Sequence, residues 1–188
     1  ALWQARLAGD LAFFDSLGIK LVRWFLLADG KSYGRDSDFT AGPATNDYNQ
    51  YVFHPPEIGS STPELDAIRA DFEVVLQHFQ ALDGRVKLVP CFIDGQQWAN
   101  DIPPDASGPG LRPGNRGSVF NDATSRGEFL DRALSPLLSV SEPYSEYIAS
   151  WDLINEPEGL LNHGVAKEQM VAFLRDGIGM INSRTSGG

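Results

Sequence analysis

Residues 150–158 read SWDLINEPE, and the prediction of the fold starts from this stretch. They close an apolar run, residues 147–154, that predicts a buried strand. The strand is followed at once by Asn155-Glu156-Pro157, which supply an amide, a carboxylate and a proline. This order places a carboxylate at the carboxyl end of a strand, where barrels of alternating strands and helices carry their functional groups.

The same residues also have a purely structural interpretation, in which they begin the next helix. Asn155 would be the helix cap and Pro157 would stand in the first turn. Glu156 would then be an acid stabilised by the positive end of the helix dipole. The stretch by itself leaves both interpretations open.

Composition sets broad limits on fold and partners. The chain has 188 residues, of which 42% are hydrophobic and 21% charged, enough for one core. Its net charge of -10 argues against nucleic acid, because phosphate binding needs a basic surface. Cys91 is the single cysteine, so no internal disulfide is possible, and no apolar run is long enough to predict a membrane span. The chain begins without Met inside a predicted helix, which suggests a piece of a longer protein.

Apolar spacing in the first half of the chain predicts helices that alternate with strands. A stripe at i, i+4 and i+7 predicts a helix over residues 3–17, with Gly18 as its end. Residues 19–27 form an almost unbroken apolar strand that contains Arg23. A second helix is predicted over residues 62–82, where a Thr-Pro-Glu sequence gives a clear start.

The second half of the chain repeats this order. Residues 86–93 predict a strand. A third helix is predicted to start at Thr124 or Ser125, and Pro136 should kink or shorten it. The last helix starts at about Val165 and carries an apolar stripe, namely Val171, Leu174, Ile178 and Ile181.

Alternation of this kind predicts parallel strands joined by right-handed crossovers. Two long segments rich in Gly, Pro and aromatic residues, 28–61 and 95–122, both follow strands. The connections from helix back to strand are shorter, so the variable chain gathers at the carboxyl ends of the strands. A barrel of alternating strands and helices has this arrangement, and so has a doubly wound sheet.

The Asn-Glu-Pro sequence after a buried strand, together with the Arg-bearing strand LVRWF at residues 21–25, resembles the retaining glycoside hydrolases of the cellulase-like clan, such as glycoside hydrolase family 5. The resemblance implies a TIM (β/α)8 barrel, and the three predicted strands would be its strands two to four. Residues 1–188 would form a partial catalytic barrel, from the first helix to the fourth. The implied reaction is hydrolysis of a β-linked glucan, mannan or related glycoside, with no cofactor and no catalytic metal. The resemblance also suggests secretion.

Residue roles follow from the same resemblance. Glu156 would be the general acid/base, and a general acid must be protonated near neutral pH, through burial or a neighbouring carboxylate. Asn155 would bind the sugar's 2-hydroxyl, and Arg23 would hold the nucleophile ionised. The nucleophile is a Glu at the end of strand seven in the family, which lies outside this chain, so the chain alone should be inactive. The structural alternative for Arg23 is an ion pair with a nearby acid.

Two further residues are candidates for substrate binding. Asp94 ends the second predicted strand, where the family often carries His, and it either binds hydroxyls or forms a turn before Gly95. Trp98 lies in a polar loop and is either a stacking platform for sugar or an anchor of the loop. Trp24 and Trp151 alternate with polar neighbours and should face the helices.

Several other functional classes lack support in the sequence. His54, His78 and His163 are scattered, so no zinc site is predicted, and the loop acids do not fit the calcium-binding loop. No phosphate loop, dinucleotide fingerprint or Gly-x-Ser-x-Gly sequence is present. Two alternatives to an enzyme stay open: a non-catalytic carbohydrate-binding or interaction module on a degenerate barrel, and an unrelated α/β domain.

Overall fold

A parallel sheet of three strands, in the order β1-β2-β3, lies at the centre of the described part of the chain. The strands are β1 (Leu21–Phe25), β2 (Lys87–Asp94) and β3 (Asp152–Asn155). In the register, Cys91 pairs with both Phe25 and Asp152. Parallel pairing agrees with the alternation of strands and helices in the sequence, because each crossover carries helical chain.

The structure is a computed structural model that describes residues 2–27, 63–95 and 116–185. Most of both long segments, and with them Trp98, lies outside the described residues. Within the described ranges, no helix has the length and apolar character to cross a membrane.

The described α-helices are α1 Leu2–Ser16, α2 Pro63–Gln80, α3 Arg116–Asn121, α4 Ala123–Phe129, α5 Ser135–Ser141, α6 Glu158–Asn162 and α7 Lys167–Thr185. Helices α2 and α7 pack on β2 and β3, and the other described helices pack around them. A π-helix, Leu130–Leu134, precedes α5, and a 3-10 helix, Glu142–Tyr147, follows it. The sequence did not predict α3, which falls within a segment taken as loop because of its many Gly and Pro residues.

Helix α1 ends as predicted at Gly18, which adopts a φ of 75°. The amide of Ile19 reaches back to the carbonyl of Phe14 at 3.0 Å, and this bond satisfies one of the last carbonyls of the helix. The chain can therefore turn sharply from the helix into β1.

The start of α4 differs from the prediction, and its continuation agrees with it. The cap is Asp122, whose carboxylate accepts a hydrogen bond from the amide of Ser125 at 2.7 Å, so neither Thr124 nor Ser125 is the cap. Pro136 lies in the first turn of α5, directly after the π-helix. Proline has no amide hydrogen and its ring crowds the preceding turn, and the wider π-helix accommodates both effects.

The third strand is shorter than predicted. Tyr147 belongs to the 3-10 helix, and Ile148 makes only an isolated bridge to Leu88 before β3 begins at Asp152. Pro143 stands in the first turn of the 3-10 helix. An apolar run does not distinguish a buried strand from a short helix, so the prediction of a strand over residues 147–154 was wrong in its first half.

The core lies between the sheet and the helices. Phe92 of β2 packs on Phe129 with ring centroids 5.4 Å apart, and Trp151 packs edge-on against Phe72 of α2 at 6.0 Å. Trp24 lines a cleft with residues of α1 and α2. The prediction that Trp24 and Trp151 face the helices is therefore confirmed.

Helix α7 presents only part of the predicted stripe to the core. Leu174 and Ile181 pack against the core as predicted, but Val171 and Ile178 are 45% and 48% exposed, and Met170 and Phe173 are buried in their place. The orientation follows from Gly177, because a β-carbon added there would meet a methyl group of Leu153 at 2.5 Å. The backbone of α7 therefore lies directly on β3 at a glycine that the apolar spacing alone did not identify.

Candidate active site

Polar side chains from all three strands are linked by hydrogen bonds across the sheet. Asp94 and Asn155 are paired in the register, so the carboxyl ends of β2 and β3 are level. Arg23 is the middle residue of β1, not its last, and its guanidinium reaches toward both ends of β3. Together with Asp152, these four side chains form what we call the polar network.

Arg23 is the centre of the polar network. Its Nη1 donates to Oδ1 of Asn155 at 2.8 Å, and its Nη2 lies 3.4 Å from Sγ of Cys91. The same Nη2 forms an ion pair with Asp152. The guanidinium also lies over the ring of Phe25, 5.0 Å from the centroid. The side chain thus points away from the helices, as its predicted role requires.

The surroundings of Arg23 favour its charged form. Burial lowers the pKa of the guanidinium, but the hydrogen bond to Asp152 and the nearby charges raise it above its ordinary value. A guanidinium offers more N–H donors than the three contacts use, so Arg23 retains donors without a partner among the described residues. Its side chain is 39% exposed, which leaves those donors accessible.

Asn155 is held through both ends of its amide. Its Oδ1 accepts from Arg23, and its Nδ2 donates to Oδ2 of Asp94 at 3.0 Å. The cap position of α6 is Pro157, with no side-chain hydrogen bond. The interpretation of Asn155 as a helix cap is therefore wrong, because its side chain is engaged across the sheet.

Asp94 accepts a hydrogen bond from Asn155 on the neighbouring strand, so at least one of its polar partners belongs to the polar network. This contact consumes one amide hydrogen of Asn155, and the second one has no partner among the residues the structure describes. A hydroxyl oxygen placed there would receive a hydrogen bond from an amide whose orientation is already fixed.

Glu156 follows Asn155 directly and has an unusual backbone. Its φ is 47°, in the left-handed region that residues with a β-carbon rarely adopt. Its side chain is exposed, so burial, one of the two predicted means of keeping it protonated, is not provided by the described residues. Helix α6 begins at Glu158, which is the acid of its first turn, and Glu156 stands outside it. Glu156 is therefore not the first-turn acid that the structural interpretation of the sequence expected.

Cys91 lies beneath Arg23 and is fully buried. Burial, together with the charge of Asp152, raises the pKa of the thiol to about 12, although Arg23 opposes this shift. A thiol of that pKa is protonated at neutral pH and is a poor nucleophile. Cys91 is therefore a packing residue of the sheet.

Two residues of the site were not predicted from the sequence. Asp152 is one of them, although a charged residue in an apolar strand signals a partner, here Arg23. Gly95 is buried against the backbone of Glu156, and nothing in its sequence context indicated that contact.

His163 forms a local hydrogen bond between its Nδ1 and the carbonyl of Gly159, four residues earlier in the chain. The described residues contain no cluster of His, Cys, Asp and Glu able to hold a metal ion.

Comparison with solved structures supports the fold. No protein-family model matches the chain, and no curated protein sequence matches it. The β-mannanase of the blue mussel Mytilus edulis aligns over 98% of this chain and 50% of its own, with a TM-score of 0.59 and 15% identity. The β-1,4-D-mannanase of Cryptopygus antarcticus aligns over 97% and 47%, with a TM-score of 0.58 and 13% identity. This chain spans about half the length of both, and at such identity the likeness concerns the fold alone.

Proposed function

We propose that the chain is strands two to four of a (β/α)8 barrel and carries part of the active site of a retaining β-glycoside hydrolase. In this proposal Glu156 is the general acid/base, Asn155 binds the sugar's 2-hydroxyl, and Arg23 steadies the nucleophile. The nucleophile is a Glu outside this chain. A β-linked mannan is the first substrate to consider, since both aligned structures are mannanases by name.

One observation carries the proposal more than any other. The amide of Asn155 is fixed between Arg23 and Asp94 at the carboxyl end of the sheet, and Glu156 is the next residue. An amide held by two partners has one orientation and meets a ligand hydroxyl without further ordering. A helix cap would need neither partner.

Retention requires two carboxyl groups roughly 5–5.5 Å apart, one to protonate the leaving group and one to attack the sugar. Asp152 is the only carboxylate that the described residues pair with Arg23. The donors of Arg23 that have no described partner are available to a second carboxylate, in keeping with a nucleophile supplied by chain beyond this sequence. The purified 188-residue chain should consequently show no turnover.

The decisive variant is Glu156→Gln in the full-length protein. Glutamine has almost the shape of glutamate but cannot donate the proton that a sugar leaving group needs, so hydrolysis of β-1,4-mannan should fall by roughly 10²–10⁴-fold. An activated aryl β-mannoside needs little protonation and should still form the glycosyl-enzyme. Azide should then restore its turnover, because azide attacks without a general base. Initial rates on both substrates, with and without azide, measure these effects.

Glu158→Gln is the matched control. Glu158 lies two residues along the chain, is also exposed and begins α6, so its replacement should leave both rates near those of the wild type. Near wild-type hydrolysis of mannan by Glu156→Gln would refute the acid/base role. Binding of mannan by the full-length wild type, without turnover of either substrate, would favour the non-catalytic module.

A further inference from the structure

The backbone of Glu156 is in contact with the glycine that follows β2. Gly95 is buried. A β-carbon built on it would lie 2.5 Å from the carbonyl oxygen of Glu156 and 2.9 Å from that of Asn155. No real β-carbon tolerates such distances, and the atoms that would have to move belong to the backbone. Only glycine fits at position 95 while Glu156 keeps its present backbone.

The same carbonyl makes a second contact. The amide of Gly159 donates to the carbonyl oxygen of Glu156 at 3.0 Å, in the turn that leads into α6. The oxygen is therefore packed against Gly95 and hydrogen-bonded to Gly159. Two such contacts oppose rotation of the peptide group, and with it any change in the direction of the bond from the α-carbon to the side chain of Glu156.

The backbone conformation of Glu156 is one that needs support from its surroundings. A non-glycine residue in the left-handed region costs on the order of 1 kcal/mol, and it persists only where its surroundings prevent relaxation. Left free, Glu156 would relax to an extended or helical backbone and its carboxylate would swing away. Asn155 is held by its side chain, whereas Glu156 is held by its backbone.

We propose that Gly95 is a positioning residue for Glu156: its missing side chain lets the end of β2 pack directly on the Glu156 peptide and so keeps the Glu156 side chain in one direction beside Asn155. The functional half of this inference, that Gly95 directs a catalytic carboxylate, rests on the acid/base role proposed for Glu156. The structural half, that Gly95 holds the backbone of Glu156, does not depend on that role. The inference assigns a function to a residue that makes no polar contact with a ligand and that supplies no chemistry.

The structural half is tested in the full-length protein by a double-mutant cycle. Gly95→Ala should lower the midpoint of thermal unfolding by roughly 5–10 °C. Glu156→Gly lets the peptide rotate, so the double variant should recover at least half of that loss. An equal loss from Gly95→Ala in both backgrounds, or no loss, would overturn the proposal. If Gly95→Ala alone fails to fold, folding of the double variant supports the proposal, and failure of both contradicts it.

Gly177→Ala is the matched control. Its added β-carbon would also stand 2.5 Å from a neighbour, but that neighbour is a methyl group of Leu153 and not backbone. Glu156→Gly should therefore leave the cost of Gly177→Ala unchanged. A rescue of the same size at both glycines would mean that Glu156→Gly stabilises the chain in general, which would also overturn the proposal.

The functional half is tested in the full-length protein. If Gly95 aims the acid/base, Gly95→Ala should lower kcat on mannan on the order of 100-fold, while turnover of the activated aryl β-mannoside, measured with azide present, falls far less. Gly177→Ala should lower both rates in the same proportion, because it changes only the amount of folded protein. Equal losses on both substrates for Gly95→Ala would overturn the positioning role. A full-length wild type without activity would contradict the proposed function. It would not change the conclusion drawn from the thermal double-mutant cycle.

Discussion

Arg23 and Arg126 are both paired with aspartate, and the comparison shows how a structural arginine differs from one at a candidate site. Arg126 is 8% exposed and joins three helices. Its Nε donates to Asp176 at 2.7 Å, and its Nη1 donates to the carbonyl of Phe120 at 3.0 Å and to Gln169 at 3.3 Å. Its partners include a backbone group that has to be satisfied when buried.

Arg23 is far more exposed, and every one of its described hydrogen-bond partners is a side chain. Among the residues the structure describes, no buried backbone group depends on Arg23. Each arginine makes three described hydrogen bonds, but those of Arg126 come from a buried side chain and include a backbone carbonyl, whereas those of Arg23 come from a part-exposed side chain. Charge and pairing alone do not separate the two residues, but exposure and the kind of partner do.

The largest effect we expect concerns the thiol beside Arg23. A nearby guanidinium usually activates a cysteine, but burial has raised the pKa of Cys91 to about 12. Alkylation by iodoacetamide at pH 8 should therefore be on the order of 10³-fold slower in the folded chain than in the chain unfolded by denaturant. Mass spectrometry over time measures both rates. Fast alkylation of the folded chain would show that Arg23 governs this face more strongly than burial does.

Replacing the structural arginine should be the most damaging of the arginine substitutions. Arg126→Met removes three contacts, among them a buried hydrogen bond to the carbonyl of Phe120, and takes the partner of Asp176 away, so the free energy of unfolding should fall by about 3 kcal/mol. Urea denaturation followed by circular dichroism gives this value. Arg184→Met is the control, because the ion pair of Arg184 with Glu142 is exposed and should contribute little. Equal losses for the two variants would contradict the distinction.

Replacing Arg23 should affect stability less. Its ion pair with Asp152 is part-exposed and screened by solvent, so Arg23→Met should lower the free energy of unfolding by about 1 kcal/mol or less. In the full-length protein the same change should nevertheless abolish most activity. The same urea titration tests the first statement, and a loss as large as that of Arg126→Met would make Arg23 a structural residue.

The smallest effect should come from Asp122, the cap residue of α4. Its link to the comparison is that α4 also carries Arg126. Hydrogen bonds from the amide and hydroxyl of Ser125 hold the pKa of Asp122 below its usual range. A depressed pKa in the folded state stabilises the chain above the unfolded pKa, and this contribution is lost as pH falls through the folded value. Asp122→Asn should therefore flatten the decline of stability below about pH 4. An unchanged slope in urea titrations between pH 2 and pH 6, in roughly one-unit steps, would contradict this.

Much of the fold was predictable from the sequence because its signals are local. The helix over residues 3–17, its end at Gly18 and the three parallel strands follow from spacing and from glycine, which need no knowledge of distant chain. The face of α7 was not predictable in the same way. Its orientation depends on Gly177 lying against Leu153, a contact between residues far apart in the sequence.

The candidate site, too, was only partly predictable from the sequence. Arg23, Asn155 and Asp94 were identifiable because each is a polar residue in or directly after an apolar strand. Their mutual hydrogen bonds, and the participation of Asp152, depend on the register between strands, which the sequence does not state. Gly95 gave no signal because its importance is steric and lies in the backbone of another strand.

The separation of the paired strands has a kinetic consequence. Each strand meets its partner only after about sixty intervening residues have been closed into a loop, as the pairs Leu21–Lys87 and Cys91–Asp152 show. Helices α1 and α2 can form within microseconds, but the sheet must wait for these distant encounters, so its assembly should limit the folding rate. During synthesis, β1 leaves the ribosome long before β3 exists. For that interval Leu21 and Phe25, which stay exposed even in the folded chain, are exposed to aggregation or to chaperone binding.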